Sequence, residues 1–349
     1  MSNVGFDFEP GFRIELHQKD LNPALSGARA LGIGLPNIAT CQELFNAAAA
    51  AGGKAWDHSA MVRVLEARLP RDRREVGRGG KGSLSTHVTP LVPPLRVDRA
   101  VLVTGAASGI GAAFARSVAG PGVGLVLHGG GSTPGSEQRL LAVRDACVAA
   151  GAACLLTRGD LSTRGPAASS VEAGVAAFGR LDHVVHAAGH VHKGAFGDLT
   201  RDGLDHTIAL MAGAFFELAT AAFPHLVASG AGRVVAVSSF IAHKLEPASF
   251  APASVAAKAA LEALVRCLAF QLAPTGMTVN AVVPGYTQKD AGKLGALSTD
   301  AWNAAAARTP TGRLGQADEV AAAIRFLLSA EARQITGAML AVDGGLTLG

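Results

Sequence analysis

The chain has 349 residues, is 49% apolar and 17% charged, and carries a formal net charge of +4. It is long enough for one large domain or two. The balance describes a well-buried, alanine- and glycine-rich globular protein whose core, with 5% aromatics, is mostly aliphatic. No uninterrupted apolar run approaches about 18 residues, so no membrane partner is expected. Asp7 and Glu9 stand where a secretory signal would be apolar. Cys41, Cys147, Cys154 and Cys267 lack metal-ligand spacing and read as reduced thiols of a cytoplasmic protein.

Residues 1–69 read as a small helical segment. Helical periodicity covers Asp20–Leu31, Ile38–Ala51 and Ser59–Leu69, broken at Gly32–Pro36 and Gly52–Gly53. Thr40 and Glu43 fit a capping box at the second helix. Three short helices bury little surface alone. Within this segment, GFRIELHQKDLNPAL (Gly11–Leu25) and KAWDHSAMVRVLE (Lys54–Glu66) resemble the C-terminal tail of the β-hydroxyacid dehydrogenases, of the tartronate semialdehyde reductase kind. That resemblance implies that Lys19, in its K-D-L motif, lies against a cofactor, and it implies a 2-hydroxy-3-oxopropionate reductase activity. The family's own nucleotide-binding domain and catalytic lysine have no counterpart before this stretch, which favours an exposed Lys19 in an isolated fragment.

Residues 70–97 mix Arg, Gly, Ser and Pro without apolar periodicity and read as a flexible linker. Arg68, Arg71, Arg73, Arg74 and Arg78 form a basic cluster. No aromatic or fold motif accompanies it, so a solvated linker is preferred to a nucleic-acid surface.

From residue 98 to 349 strand and helix patterns alternate. Strands are predicted at Ala100–Val103, Val123–His128, Ala153–Leu156, His183–His186, Arg233–Val237, Thr278–Val283 and Met339–Val342. Helices are predicted from Ile110 to Ala119 and over Glu137–Ala150, Pro166–Phe178, Leu204–Ala228, Ala253–Ala273 and Ala317–Ser329. Such alternation predicts an α/β, Rossmann-type doubly wound parallel sheet, preceded by the small helical segment. Ligands bind such sheets beyond the carboxyl ends of the strands.

The stretch AVLVTGAASGIG, Ala100–Gly111, joins the first strand to a helix through Gly105, Gly109 and Gly111. Glycines let the backbone turn tightly and approach a ligand. The helix start, with Ser108 and Ile110, offers unpaired N–H groups to a pyrophosphate. The T-G-x-x-x-G-x-G spacing resembles the short-chain dehydrogenase/reductase family, and later residues repeat the resemblance in order. After the second strand, His128 to Ser132 contains no acidic residue to hold a ribose 2′-hydroxyl, and Ser132 can hydrogen-bond a phosphate, so NADP(H) is favoured over NAD(H). Asp160-Leu161 resembles the family's adenine-contacting pair. His186-Ala187-Ala188-Gly189 stands where the family has N-N-A-G. A metal is not expected at His183, His186, His190 and His192, which lack carboxylate companions.

The resemblance implies hydride exchange between a nicotinamide and a small-molecule carbonyl or alcohol, with Ser, Tyr, Lys and Asn as catalytic groups. Ser239 in AVSSF and Lys258 in SVAAKAAL match the serine and the lysine. Ser254, one helical turn before Lys258, replaces the tyrosine, and an aliphatic hydroxyl is a far weaker acid than a phenol. Ala209 or Met211 falls where the asparagine is expected. The one tyrosine of the chain, Tyr286, follows a Pro284-Gly285 turn resembling the family's loop beside the nicotinamide, where Thr287 is a further cofactor contact. Tyr286 is therefore a candidate acid with Lys258 or Lys289 as its cation, or else an aromatic anchor. A nucleotide-binding protein with little or no turnover is the alternative. By the same resemblance, the helices Leu204–Ala228 and Ala253–Ala273 are expected to build a homodimer or homotetramer.

Overall fold

Strand β1 (Arg99–Thr104) is buried from Ala100 onward, because it lies at the middle of a sheet covered on both faces. The sheet also contains β2 (Val123–Gly129), β3 (Ala153–Arg158), β4 (His183–His186), β5 (Arg233–Val237), β6 (Thr278–Pro284) and β9 (Met339–Val342). Two short strands, β7 (Thr287–Gln288) and β8 (Gly315–Gln316), pair separately. The large sheet has the order β3-β2-β1-β4-β5-β6-β9, and every pairing in it is parallel. The order reverses between β1 and β4, which opens the crevice where ligands of doubly wound folds sit. The computed structural model describes residues 96–131, 135–246, 250–288 and 299–348, with scattered residues between 16 and 50.

The helices are α1 (Gly109–Val118), α2 (Ser136–Ala149), α3 (Pro166–Phe178), α4 (Arg201–Ile208), α5 (Ala214–Ser229), α6 (Pro252–Leu272), α7 (Thr299–Arg308) and α8 (Ala317–Leu327). Alternate strand residues face opposite layers. Leu102, Val126, Val184 and Val234 pack with Val171 of α3, Phe215 of α5 and Leu261 of α6. Val101, Leu125, Val185 and Val235 pack with Phe114 of α1, Val143 of α2 and Ile324 of α8. The strands and most helices follow the pattern read from the sequence within a residue or two.

The helix expected over Leu204–Ala228 runs from Arg201 to Ser229, with one departure from α geometry. A π-helical turn, Ala209–Gly213, separates α4 from α5, and Pro224 is accommodated inside α5. Such a turn bends the helix and frees carbonyls from their usual partners. The buried His186 Nε2 lies 3.0 Å from the Met211 carbonyl. Among the described residues, Arg201–Ser229 is the one helix long and apolar enough to cross a membrane, with a mean hydropathy of 1.5. In this fold its apolar side chains Phe215, Leu218 and Leu226 are core residues.

The chain divides into two compact units, Met1–Thr89 and Pro90–Gly349. In the first, the described residues at 16, 19–23, 26, 45–46 and 48–50 are helical. Phe45 and Ala48 are buried, and Lys19 is exposed. The expected third helix, the Thr40–Glu43 capping box and the basic linker lie outside the described residues.

Three histidines are buried in the sheet: His128, His183 and His186. Burial, which penalises the charged ring, holds His128 and His183 down to about 4 and His186 down to about 3. Unfolded imidazoles titrate near 6.5. Below that pH the unfolded chain binds protons that the folded chain refuses, so stability is full above about 6.5 and falls as the pH drops towards 4. Each ring contributes a slope of up to about 1.4 kcal/mol per pH unit in that window. Urea midpoints of the coenzyme-free protein are expected to be flat from pH 8 to 7 and to drop clearly between pH 6.5 and 5. A flat midpoint across that interval contradicts neutral, buried rings.

Candidate active site

The three glycines after β1 are there for two different reasons. Gly105 has φ +68°, and a Cβ there would meet the Ala188 nitrogen at 2.8 Å and the Ala187 carbonyl carbon at 2.9 Å. Gly111 would press a Cβ into the carbonyl of Gly105, 2.9 Å from its carbon. Both are required by the protein's own backbone. Gly109, at φ +56°, would place a Cβ with nothing within 4 Å, so its surroundings leave room for a ligand. Ser108 is extended and does not cap α1 with its side chain, and no acidic residue stands in the first turn. The Ile110 end of the helix thus presents amides and a positive dipole without a competing carboxylate, which suits an anionic pyrophosphate.

The ends of β2, β3 and β4 border this turn. Ser132 lies outside the described residues. The sequence shows no arginine in the loop after β2, but the parallel register sets Arg158 of β3 beside Gly129, with its guanidinium 2.8 Å from Glu137 of α2. Counting β3 two residues further would have revealed it. Asp160 accepts hydrogen bonds from the Ser162 amide at 2.9 Å and hydroxyl at 2.8 Å. These bonds hold its carboxyl below the usual range. Leu161 beside it is buried.

His186 is fixed in one tautomer. A carbonyl only accepts, so Nε2 donates to Met211, and Nδ1 accepts from the Thr104 hydroxyl at 3.0 Å. The same hydroxyl oxygen accepts the Ala188 amide at 3.2 Å. This network fixes Ala187, Ala188 and Gly189 above β4. A Cβ on Gly189 would lie 3.4 Å from both Lys258 Nζ and the Met211 side chain. Met211, one of the two candidates for the asparagine position, thus comes close to the same glycine as the lysine.

Lys258 is buried on α6, and its ammonium donates to the Val237 carbonyl at 2.7 Å. Burial lowers it to about 8, against a smaller raising effect of Glu262. Ser239 is half-buried just past β5, two residues after that carbonyl. Ser254 is fully buried, and its oxygen accepts the backbone N–H of His192 at 2.8 Å. His192 was not singled out as a site residue from the sequence, and its position shows only when α6 is packed against the loop after β4.

Tyr286 is bound elsewhere in its surroundings. Its hydroxyl donates to Glu246 at 2.7 Å and accepts from Arg308 at 3.2 Å, and its ring packs 4.7 Å from that of Phe240. Gly285 passes so close to Asp343 that a Cβ would lie 2.9 Å from its Cα, which seats the Pro284-Gly285 turn. The Thr287 hydroxyl donates back to the Gly285 carbonyl at 3.1 Å. Lys289 lies outside the described residues. Among the described residues no group of three or more His, Cys, Asp or Glu is placed to hold a metal.

A family model described as Enoyl-(Acyl carrier protein) reductase matches residues 105–347. The chain belongs to the short-chain dehydrogenase/reductase family. Cis-4-hydroxycyclohexanecarboxylate dehydrogenase of Sinomonas cyclohexanicum is 37% identical over 251 residues, 72% of this chain and 97% of that protein. L-rhamnose 1-dehydrogenase (NAD(P)(+)) of Azotobacter vinelandii is 34% identical over 253 residues, 72% of this chain and 98% of that protein. A solved short-chain dehydrogenase from Burkholderia cenocepacia in complex with NADP is 32% identical, with a TM-score of 0.64 over 72% of this chain and 98% of its own. Residues 3–65 match a model described as NAD-binding of NADP-dependent 3-hydroxyisobutyrate dehydrogenase. There, 2-hydroxy-3-oxopropionate reductase of Escherichia coli is 66% identical over 59 residues, which is 17% of this chain and 20% of that protein.

Replacing Gly109 by alanine separates ligand room from fold. The new methyl meets no protein atom within 4 Å, and its left-handed backbone costs about 1–2 kcal/mol. The variant is expected to stay folded by circular dichroism while its NADPH affinity, read by fluorescence titration, falls at least about tenfold, the loss of roughly one charge-assisted amide contact. Unchanged affinity would place the pyrophosphate elsewhere.

Proposed function

We propose that the Pro90–Gly349 unit is an NADP(H)-dependent oxidoreductase that interconverts a small-molecule carbonyl and its alcohol. The observation that carries this reading is the placement of Lys258. Its buried ammonium lies beside Gly189, in the loop whose neighbours Ala187 and Ala188 press on Gly105 of the α1 turn. One continuous stretch of backbone thus links the anion-binding turn to the only buried lysine among the described residues.

Gly105, Ser108, Gly109, Ile110 and Gly111 form the turn that would hold the pyrophosphate. Asp160, Leu161 and the Ala187–Gly189 backbone border the adenosine side, and Lys258, Pro284, Gly285 and Thr287 border the nicotinamide side. Bound coenzyme supplies or takes the hydride. The lack of an acidic residue from His128 to Ser132 and the placement of Arg158 beside Gly129 support NADP(H) over NAD(H), since a 2′-phosphate favours cations. Ser239 orients the substrate oxygen. Lys258 adds positive charge beside the reacting centre and, lowered by burial, releases a proton more readily than a solvated lysine.

Ser254 does not take over the acid's task, because an aliphatic hydroxyl gives up its proton far less readily than a phenol. Tyr286 acts as an anchor, since its hydroxyl proton is committed to the Glu246 carboxylate. The replacement at position 254 is also the observation that favours a second reading, a nucleotide-binding protein with little turnover.

The free thiols at Cys147, Cys154 and Cys267 suit a cytoplasmic setting. A groove of about 300 Å3 between α5 and α6 is lined by Phe215, Phe216, Phe223 and Leu268. Phe216 is 62% exposed and Phe270 of α6 86% exposed. That apolar face supports a homodimer or homotetramer built through these two helices.

Fluorescence titration with NADPH and its oxidation with a panel of ketones and aldehydes test the reading. Binding with turnover is the expected result, binding without turnover selects the second reading, and no binding of either coenzyme sinks both. Tyr286→Phe is expected to keep kcat within about twofold while costing about 1–3 kcal/mol in stability, because Glu246 loses a donor. A loss of turnover at unchanged stability would make Tyr286 part of the chemistry.

A further inference from the structure

We infer that Glu262 is the positioning residue of Ser239, holding both ends of the loop that carries this serine on one carboxylate oxygen. This rests on the oxidoreductase reading above and extends its site by one turn of α6.

Ser254, Lys258 and Glu262 follow one another at intervals of four along α6, which sets them on one helix face, and all three are buried. That face clamps the end of β5. The Lys258 ammonium donates to the Val237 carbonyl at 2.7 Å. The next residue, Ser238, donates its hydroxyl to Glu262 Oε1 at 2.5 Å. A carboxylate only accepts, so His243 Nε2 donates to the same oxygen, 2.9 Å away. The segment Ser238–His243 thus begins and ends on one atom.

Between those two points the backbone is held as well. The Ser238 amide donates to the Val282 carbonyl of β6 at 2.8 Å. Phe240–Ala242 forms a 3-10 turn, with the Ala242 amide on the Ser239 carbonyl at 3.1 Å. Ser239 is extended and does not spend its side chain on capping that turn, so the loop decides where its hydroxyl points. A group that orients a reacting oxygen works only from the right place, and a misplacement of about 1 Å can cost about 100-fold in rate.

Stability alone does not account for a carboxylate at this position. Burying a charge is costly, and an apolar side chain of similar volume is often as stable. Here the cost is offset by two donors from the Ser239 loop and by the positive charge of Lys258, whose proton affinity Glu262 raises in turn.

Glu262→Met removes the shared acceptor at similar volume, and Ser238→Ala removes one of the two bonds. Glu262→Met is expected to lower kcat for ketone reduction about 10- to 100-fold, with NADPH affinity within about twofold of the parent. Glu262→Gln, which still offers an oxygen to both donors, is expected to recover most of that rate. The deciding measurement is the double-mutant cycle with Ser239→Ala. If the carboxylate acts through Ser239, Glu262→Met adds almost nothing once the serine is gone, although either change alone slows turnover. Should Glu262→Met fail to fold, Ser238→Ala enters the same cycle, with a smaller loss expected alone and none beside Ser239→Ala. Losses that multiply in the cycle overturn the proposal and leave the oxidoreductase reading intact, as does parental turnover in Glu262→Met or in Ser239→Ala. NADPH affinity lost together with turnover in Glu262→Met makes the carboxylate structural only, and a parent protein that binds NADPH without turnover overturns both readings.

Discussion

One close approach governs the larger unit: the backbone of Gly105 lies against the Ala187–Ala188 peptide with no space for a side chain between them. It joins the turn after β1 to the loop after β4 at the point where the strand order reverses. Thr104 and His186 hold the two strand ends together just beneath, through the hydroxyl and Nδ1. Because Ala188 donates to that same hydroxyl, the contact fixes both loops in register. The position of the α1 amides relative to Lys258 follows from it, through Gly189.

That contact also explains why a histidine replaces the asparagine that the family carries at the first position of N-N-A-G. A residue there has to bridge from β1 to the π turn between α4 and α5. An imidazole does so with one acceptor and one donor at opposite sides of its ring, meeting Thr104 and Met211 together. The bridge requires the ring to be neutral, and complete burial ensures that it is. A charged ring would lose its bond from Thr104, since neither nitrogen could then accept. The π turn and His186 therefore depend on one another.

The fold was legible because its signals are local. Val, Leu and Ala runs at β1, β2, β5 and β6, bounded by glycine, read as buried parallel strands, and α3 begins at Pro166 and ends at Gly179 as its sequence pattern requires. Ser239 and Lys258 were legible for the same reason, each lying in a short motif. The π turn was not, because ALMAG has ordinary helical composition and the partner of its Met211 carbonyl, His186, stands 25 positions away. Arg158 escaped because its neighbour Gly129 is set by strand register. The partners of Tyr286 stand 40 and 22 residues away, distances at which a sequence carries no local mark of who holds the hydroxyl.

The two departures from the family's catalytic set lie on different elements, Met211 in the π turn and Ser254 on α6, and both meet the loop after β4, at Gly189 and at the His192 amide. Met211 side-chain carbons and Lys258 Nζ both come close to Gly189, and burial is the first cause of the lysine's lowered proton affinity. Ser254 accepts the His192 amide at 2.8 Å, which ties the loop after β4 to α6. The turn after β1, Ser239 and Lys258 stand where the resemblance places them, whereas the side chain at position 254 is committed to holding the loop after β4 against α6 through the His192 amide.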